Sequence, residues 1–147
     1  MKGVSKMRFA KRSISILLLA LMLWGTVAFA EDVTAQPYAS ELIAARYIYA
    51  RDYGGGSIGF TADMSTIGAV DKLGFEYIRI QEKQGSSWVT VKSTSDKYGY
   101  NRSMYNYSLS YDGTSGEQYR AVVKFYAKDG SISDTKVLTS SVMTAKS

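Results

Sequence analysis

Hydrophobic and polar residues alternate along most of the chain after residue 44, and a period of two residues is typical of half-buried β-strands. The alternating segments cover residues 58–64, 75–82, 87–92, 105–111, 119–128 and 131–142. Glycine-containing turn sequences lie between several of them, at residues 54–56, 84–87, 112–116 and 128–130. Six to seven short strands at this spacing predict an all-β fold, an antiparallel β-sandwich.

The alternation also predicts which side chains form the core. In the segment that starts at residue 119, the inward-facing residues are Tyr119, Ala121, Val123, Phe125 and Ala127. A second inward row consists of Tyr105, Tyr107, Leu109 and Tyr111. The Asp129-Gly130 pair between two such segments predicts a tight hairpin, because glycine accepts the positive φ that these turns require.

The stretch from residue 40 to residue 51 fits two kinds of structure. Ser40 can cap a helical turn that runs to Ala45, whereas Tyr47, Ile48 and Tyr49 favour a strand. We expect a strand here, and the helical alternative stays open for residues 40–46.

The first thirty residues have the three parts of a secretory signal peptide: a basic start, an apolar run over residues 14–24 and a small-residue cleavage site. Ala28 and Ala30 supply the small side chains. We therefore expect the signal-peptide helix to be removed by cleavage between Ala30 and Glu31. A retained membrane anchor is the alternative, but the apolar run is short for that role. The predicted organisation is a signal peptide (1–30), a flexible lead-in (31–40) and one domain (41–147).

Composition removes several classes of function. The chain of 147 residues has no cysteine and no histidine, which excludes disulfides, thiol nucleophiles, histidine-based triads and the usual zinc sites. The formal charge is +5, but five basic residues and no acidic ones lie in the first thirty positions. Because the rest of the chain is neutral, we expect no nucleic-acid partner and no membrane insertion after cleavage.

No constellation predicts an active site or a cofactor. Glu76 and Glu82 are expected on one strand face about 20 Å apart, too far for a glycosidase pair. The loops at 112–117 and 129–134 lack the alternating spacing of calcium loops, and the glycine-rich residues 54–59 precede a strand instead of the helix that dinucleotides need. We expect no metal, no cofactor and no enzymatic activity, with a weak carboxylate-based hydrolase as the alternative.

Tyrosine is the one marked excess, with twelve residues, all after residue 37. Exposed tyrosines stack on sugars or anchor protein contacts. Tyr98 and Tyr100 are predicted in a polar loop with Arg102, and Tyr126 points away from the predicted core. These four residues are the candidate ligand-binding site, for an extracellular protein or a glycan.

Residues 116–127, together with 129–130 and 140–141, resemble the F–G hairpin of immunoglobulin and fibronectin type III-like sandwiches. Residues 75–83 and 88–91 look like the C–C′ part of that fold. The resemblance implies that Tyr119 forms a tyrosine corner, in which its hydroxyl bonds to backbone. From residue 45 to 142 the chain is also similar to small secreted proteins of unknown function from Gram-positive, clostridial-type gut bacteria. These resemblances imply the fold and a secreted location, and they carry over no catalytic residues. Export, the absence of catalytic side chains and the excess of tyrosine together predict a secreted, non-enzymatic binding module, or alternatively a carbohydrate-binding protein of the cell envelope.

Overall fold

The computed structural model describes residues 41–147, and their six strands form one antiparallel sheet. The strands are β1 (Ile43–Gly54), β2 (Ser57–Gln84), β3 (Ser87–Asp112), β4 (Gln118–Asp129), β5 (Ile132–Thr139) and β6 (Met143–Thr144). Strand β2 pairs with β3 along its length, with β1 through its first half and with β4 through its second half. Strands β5 and β6 both pair with β4. The predicted all-β antiparallel fold is therefore confirmed, as is the strand after residue 43.

Two strands are much longer than the alternation predicts. The segments 58–64 and 75–82 are the two halves of β2, and 87–92 and 105–111 are the two halves of β3. A bulge and not a turn joins the two halves, because the pair Ser65–Met104 is followed directly by the pair Val70–Arg102. Residues 66–69 thus lie opposite a single residue, which bends both strands without ending their pairing.

The bend brings the inner faces of the two halves of the sheet together around one core. The ring of Phe75 in β2 lies 5.7 Å from that of Tyr105 in β3, and Tyr111 lies 6.0 Å from Tyr119 in β4. The fully buried apolar residues include Ile58, Phe60, Met64, Leu73, Ile78, Ile80, Val123 and Phe125. Both predicted inward rows are confirmed, since Tyr119 and its alternate neighbours are buried and the tyrosines around Leu109 pack against the core.

The hairpin between β4 and β5 is also confirmed, with its turn one residue later than the Asp-Gly pair suggests. Asp129 pairs with Ile132, so Gly130 and Ser131 form the turn. Gly130 has a φ of 57°, which places the glycine at the first central position, as in type II′ turns. The carboxylate of Asp71 accepts a hydrogen bond from the Gly130 N–H at 2.8 Å, which ties the turn to β2.

Strand β1, at one edge of the sheet, also contacts β5, at the opposite edge. The backbone N–H of Ile43 donates to Asp134 Oδ2 of β5 at 3.2 Å, and Lys136 Nζ lies 2.9 Å from Glu41 Oε1. The sheet therefore curls until β1 and β5 are neighbours.

Some predictions concern residues outside the described range. The signal peptide with its cleavage residues Ala28 and Ala30, and the lead-in over 31–40, are among them. Residues 41–147 contain no helix of the length and apolarity needed to cross a membrane.

Candidate functional site

Two of the four predicted ligand-binding residues meet on the outer face of the sheet. Tyr98 of β3 and Tyr126 of β4 both pair with Gly74 of β2, and their ring centroids are 5.9 Å apart at an interplanar angle of 71°. Gly74 lets the backbone of β3 approach closely, because a Cβ atom there would collide with the carbonyl oxygen of Lys97. Lys72 Nζ lies 3.8 Å from the Tyr98 centroid and 5.5 Å from that of Tyr126. The two rings and Lys72 therefore form one cation–π cluster.

The surroundings keep the Tyr98 hydroxyl neutral. Burial raises the pKa of Tyr98, and the negative charges of Asp96 and Glu76 raise it further. Glu76 in turn forms an ion pair with Lys124 of β4. The cluster thus offers a neutral phenol and a cation, and it provides no ionised nucleophile.

The other two predicted residues, Tyr100 and Arg102, lie on β3 and not in a loop. Tyr100 pairs with Lys72 and is 60% exposed, and Arg102 Nε donates to the Tyr100 carbonyl oxygen at 3.5 Å. The loop prediction is wrong because β3 pairs only with β2, so its polar side chains can remain in water. Asp96 and Asn101 have φ values of 55° and 51° and kink this strand without ending it.

A second aromatic surface was missed by the sequence analysis. Tyr47, Tyr49 and Tyr53 of β1 are 54%, 57% and 57% exposed, and we call them the tyrosine row. The rings of Tyr47 and Tyr49 stack with centroids 6.1 Å apart and planes 28° from parallel. Tyr53 lies over Gly59 of β2, where a Cβ atom would be 2.7 Å from its ring. The spacing of two residues between Tyr47 and Tyr49 predicts that their rings share one face of the strand, and this spacing is the sequence signal for the surface.

Short polar side chains cover the sheet beside the tyrosine row. Tyr47 pairs with Asp63 and Tyr49 with Thr61, and paired residues share one face of a sheet. On β3, Asn106 pairs with Asp63 and Ser108 pairs with Thr61, so both rows of paired residues extend across that strand. Thr61 Oγ1 and Ser108 Oγ share a hydrogen bond of 2.7 Å. The face thus combines exposed rings with hydroxyl, amide and carboxylate groups.

The structure places Tyr119 inside the core with both sides of its hydroxyl occupied. The Tyr119 Oη accepts a hydrogen bond from the Thr114 N–H at 2.9 Å and donates one to Glu82 Oε2 at 2.8 Å. Burial raises the pKa of Tyr119 and the Glu82 carboxylate adds to the rise, while the Thr114 N–H opposes it. The residue ties the β3–β4 connection to β2, which is a structural role.

The two glutamates expected on one strand face lie on opposite faces. A bulge between Phe75 and Tyr77 reverses the alternation, so that Glu76 contacts Lys124 outside whereas Glu82 reaches the buried Tyr119 hydroxyl. Within residues 41–147, no three acidic side chains are grouped as a metal site requires.

The chain was compared with protein-family models and with curated proteins. No protein-family model matches the chain, and no curated protein is similar to it.

Proposed function

We propose that this chain is a secreted, non-enzymatic binding module that binds an uncharged carbohydrate through the tyrosine row. The observation that carries the proposal is the exposure of Tyr47, Tyr49 and Tyr53 on one face of one strand, each by more than half of its surface. Large rings in water leave apolar area uncovered, and an aromatic row of this kind marks a contact surface.

The chemistry of the face favours a sugar chain as its ligand. A tyrosine ring offers an apolar face with only two side-chain torsions to immobilise, so stacking on it loses little entropy. Thr61, Ser108 and Asn106 add hydroxyl and amide groups that can exchange hydrogen bonds with sugar hydroxyls. The charges beside the row, on Arg51 and Asp63, are of opposite sign, which suits an uncharged ligand.

Two further parts of the proposal concern the fold family and secretion. The resemblance to immunoglobulin-like sandwiches is supported by the Tyr119 hydroxyl, which contacts backbone five residues upstream as in a tyrosine corner. Secretion by a Gram-positive bacterium is supported by the sequence of residues 1–30. N-terminal sequencing of protein recovered from the medium should start at Glu31, and a start at Met1 would contradict secretion by cleavage.

Pull-down with insoluble polysaccharides tests the binding function. The full chain is incubated with cellulose, chitin and peptidoglycan, beside a Tyr47→Ala/Tyr49→Ala double variant. We expect binding to at least one of these polymers and a loss of tenfold or more in the double variant. Tyr100→Ala is the matched control, because Tyr100 is 60% exposed but lies on the other half of the sheet. Absence of binding, or equal loss in both variants, would overturn the proposal.

A further inference from the structure

The outer face of the second half of the sheet carries a concentration of positive charge. Its basic residues alternate with core residues along β2 and β4, and we call them the basic face: Lys72, Arg79, Lys83, Arg120, Lys124 and Lys128. Glu76 is the acidic residue on the same stretch, and it pairs with Lys124. Within residues 41–147, the other five cations of the basic face form no ion pair.

Two residues of the basic face occupy directly opposite positions on neighbouring strands. Lys72 and Lys128 are cross-strand partners in the register between β2 and β4. Like charges at directly opposite positions destabilise a sheet. An anion bound across this pair would remove the repulsion, so the arrangement favours a negatively charged ligand.

Aromatic rings hold three of the cations in place. Lys72 lies 3.8 Å from the Tyr98 ring, the Arg79 guanidinium 4.0 Å from the Tyr77 ring and the Arg120 guanidinium 4.3 Å from the Trp88 ring. Long basic side chains otherwise lose considerable conformational entropy when they bind. Rings that position them before binding reduce that loss.

The same stacking decides which kind of polyanion fits. Proteins that bind single-stranded nucleic acid present free aromatic faces to the bases. Here Lys72, Arg79 and Arg120 lie over the rings of Tyr98, Tyr77 and Trp88, which leaves Tyr100 as the exposed ring beside Lys72 and favours recognition of charge over stacking on successive bases. Hydroxyl side chains border the basic face at Ser93 and Thr135, the cross-strand partners of Arg79 and Tyr126, and these can bond to sugar hydroxyls.

The neutral charge of the chain after residue 30 conceals this arrangement, because several carboxylates are used in turns and at strand ends, whereas Glu76 and Asp96 are the acidic residues near Tyr98. Asp71 and Asp134 accept hydrogen bonds from backbone N–H groups at Gly130 and Ile43, and Asp52 accepts from those of Gly54 and Lys146. Acidic residues thus tie down turns and strand ends while basic residues occupy the outer face.

From these observations we infer that the basic face binds an acidic polysaccharide, carboxylated or sulfated. Neighbouring strands are about 4.8 Å apart and same-face residues about 6.6 Å apart, so the cations offer contacts at the spacing of groups along an extended chain. This surface is separate from the tyrosine row, and either proposal can fail without the other.

Binding of the full chain to heparin and to alginate, two acidic polysaccharides, tests the inference. We expect binding at low salt that weakens steadily as salt increases, since each contact releases counterions. An Arg79→Gln/Lys128→Gln variant should lose tenfold or more in affinity and show a shallower salt dependence. Arg79→Lys should retain most of the binding, because the charge remains. Circular dichroism and the urea midpoint should match the unchanged chain.

The controls separate this surface from general charge and from the tyrosine row. The Lys146→Gln/Lys92→Gln variant also removes two positive charges, but from exposed positions outside the basic face. It should change the affinity for heparin and alginate less than twofold. Tyr47→Ala/Tyr49→Ala should leave heparin binding intact. The inference is overturned by absent binding to both polymers at low salt, by an equal loss in the Lys146→Gln/Lys92→Gln control, or by tighter binding to single-stranded DNA at the same ionic strength.

Discussion

Removing one hydroxyl from the core should weaken the fold by an amount that the structure lets us calculate. In Tyr119→Phe the ring stays, but the bonds to the Thr114 N–H and to the Glu82 carboxylate are lost. A neutral hydrogen bond contributes about 1 kcal/mol and one to a charged group about 1.5–3 kcal/mol. Thr114 is exposed and Glu82 half-buried, so water can partly replace the lost partner. We therefore expect a loss of about 2 kcal/mol in the free energy of unfolding, somewhat below the combined contribution of about 2.5–4 kcal/mol.

Urea unfolding of the full chain, followed by tryptophan fluorescence, measures this loss. With a slope of about 1.5 kcal/mol/M for a domain of this size, the midpoint should fall by about 1.3 M while the slope stays unchanged. Tyr111→Phe is the matched control, because its ring also packs in the core and its hydroxyl makes no hydrogen bond within residues 41–147. An unchanged midpoint for Tyr119→Phe, or an equal shift in the two variants, would refute the reasoning.

Two further predictions concern the same hydroxyl. Gly113→Ala should lower the urea midpoint, because the added Cβ would lie 2.5 Å from Tyr119 Oη. Gly68→Ala is the control, since Gly68 has open space around it and the midpoint should not change. Equal midpoints for the two variants would contradict this prediction. The raised pKa of Tyr119 means that its contribution to stability is complete below the unfolded value of about 10 and is lost as the pH rises through the higher folded value. As the pH rises above about 10, Tyr119→Phe should therefore lose less stability than the unchanged chain. Urea midpoints at each pH measure this, and parallel curves for the two proteins would count against the assignment.

The sequence predicted the core well wherever alternation was unbroken. From Tyr119 to Ala127 every second residue is apolar, and a one-residue shift would expose all of them, so the register has a single solution. Bulges were not predictable in this way. The extra residues near Ser65 and at Glu76 are recognised only from how distant strands pair, which is a property of the whole sheet and leaves no local residue pattern.

The surfaces were predicted less well than the core, for two physical reasons. The residues around Tyr100 are polar and predict a loop, but they lie in a strand. An edge strand is solvated along one side and therefore tolerates the same residues as a loop. The basic face could not be predicted from the sequence, because net charge counts residues without regard to their position in the fold. Only the register, which places Lys72 beside Lys128, shows that equal numbers of acids and bases can be segregated.

The continuity of β2 and β3 has a consequence for how the protein comes apart. Each half of the sheet contains part of both strands, so neither half holds a complete set of backbone partners by itself. Opening one half exposes the aromatic contacts Phe75–Tyr105 and Tyr111–Tyr119 that join it to the other. We therefore expect unfolding to be cooperative across residues 43–144, and a nick in the middle of either long strand should destabilise both halves of the sheet.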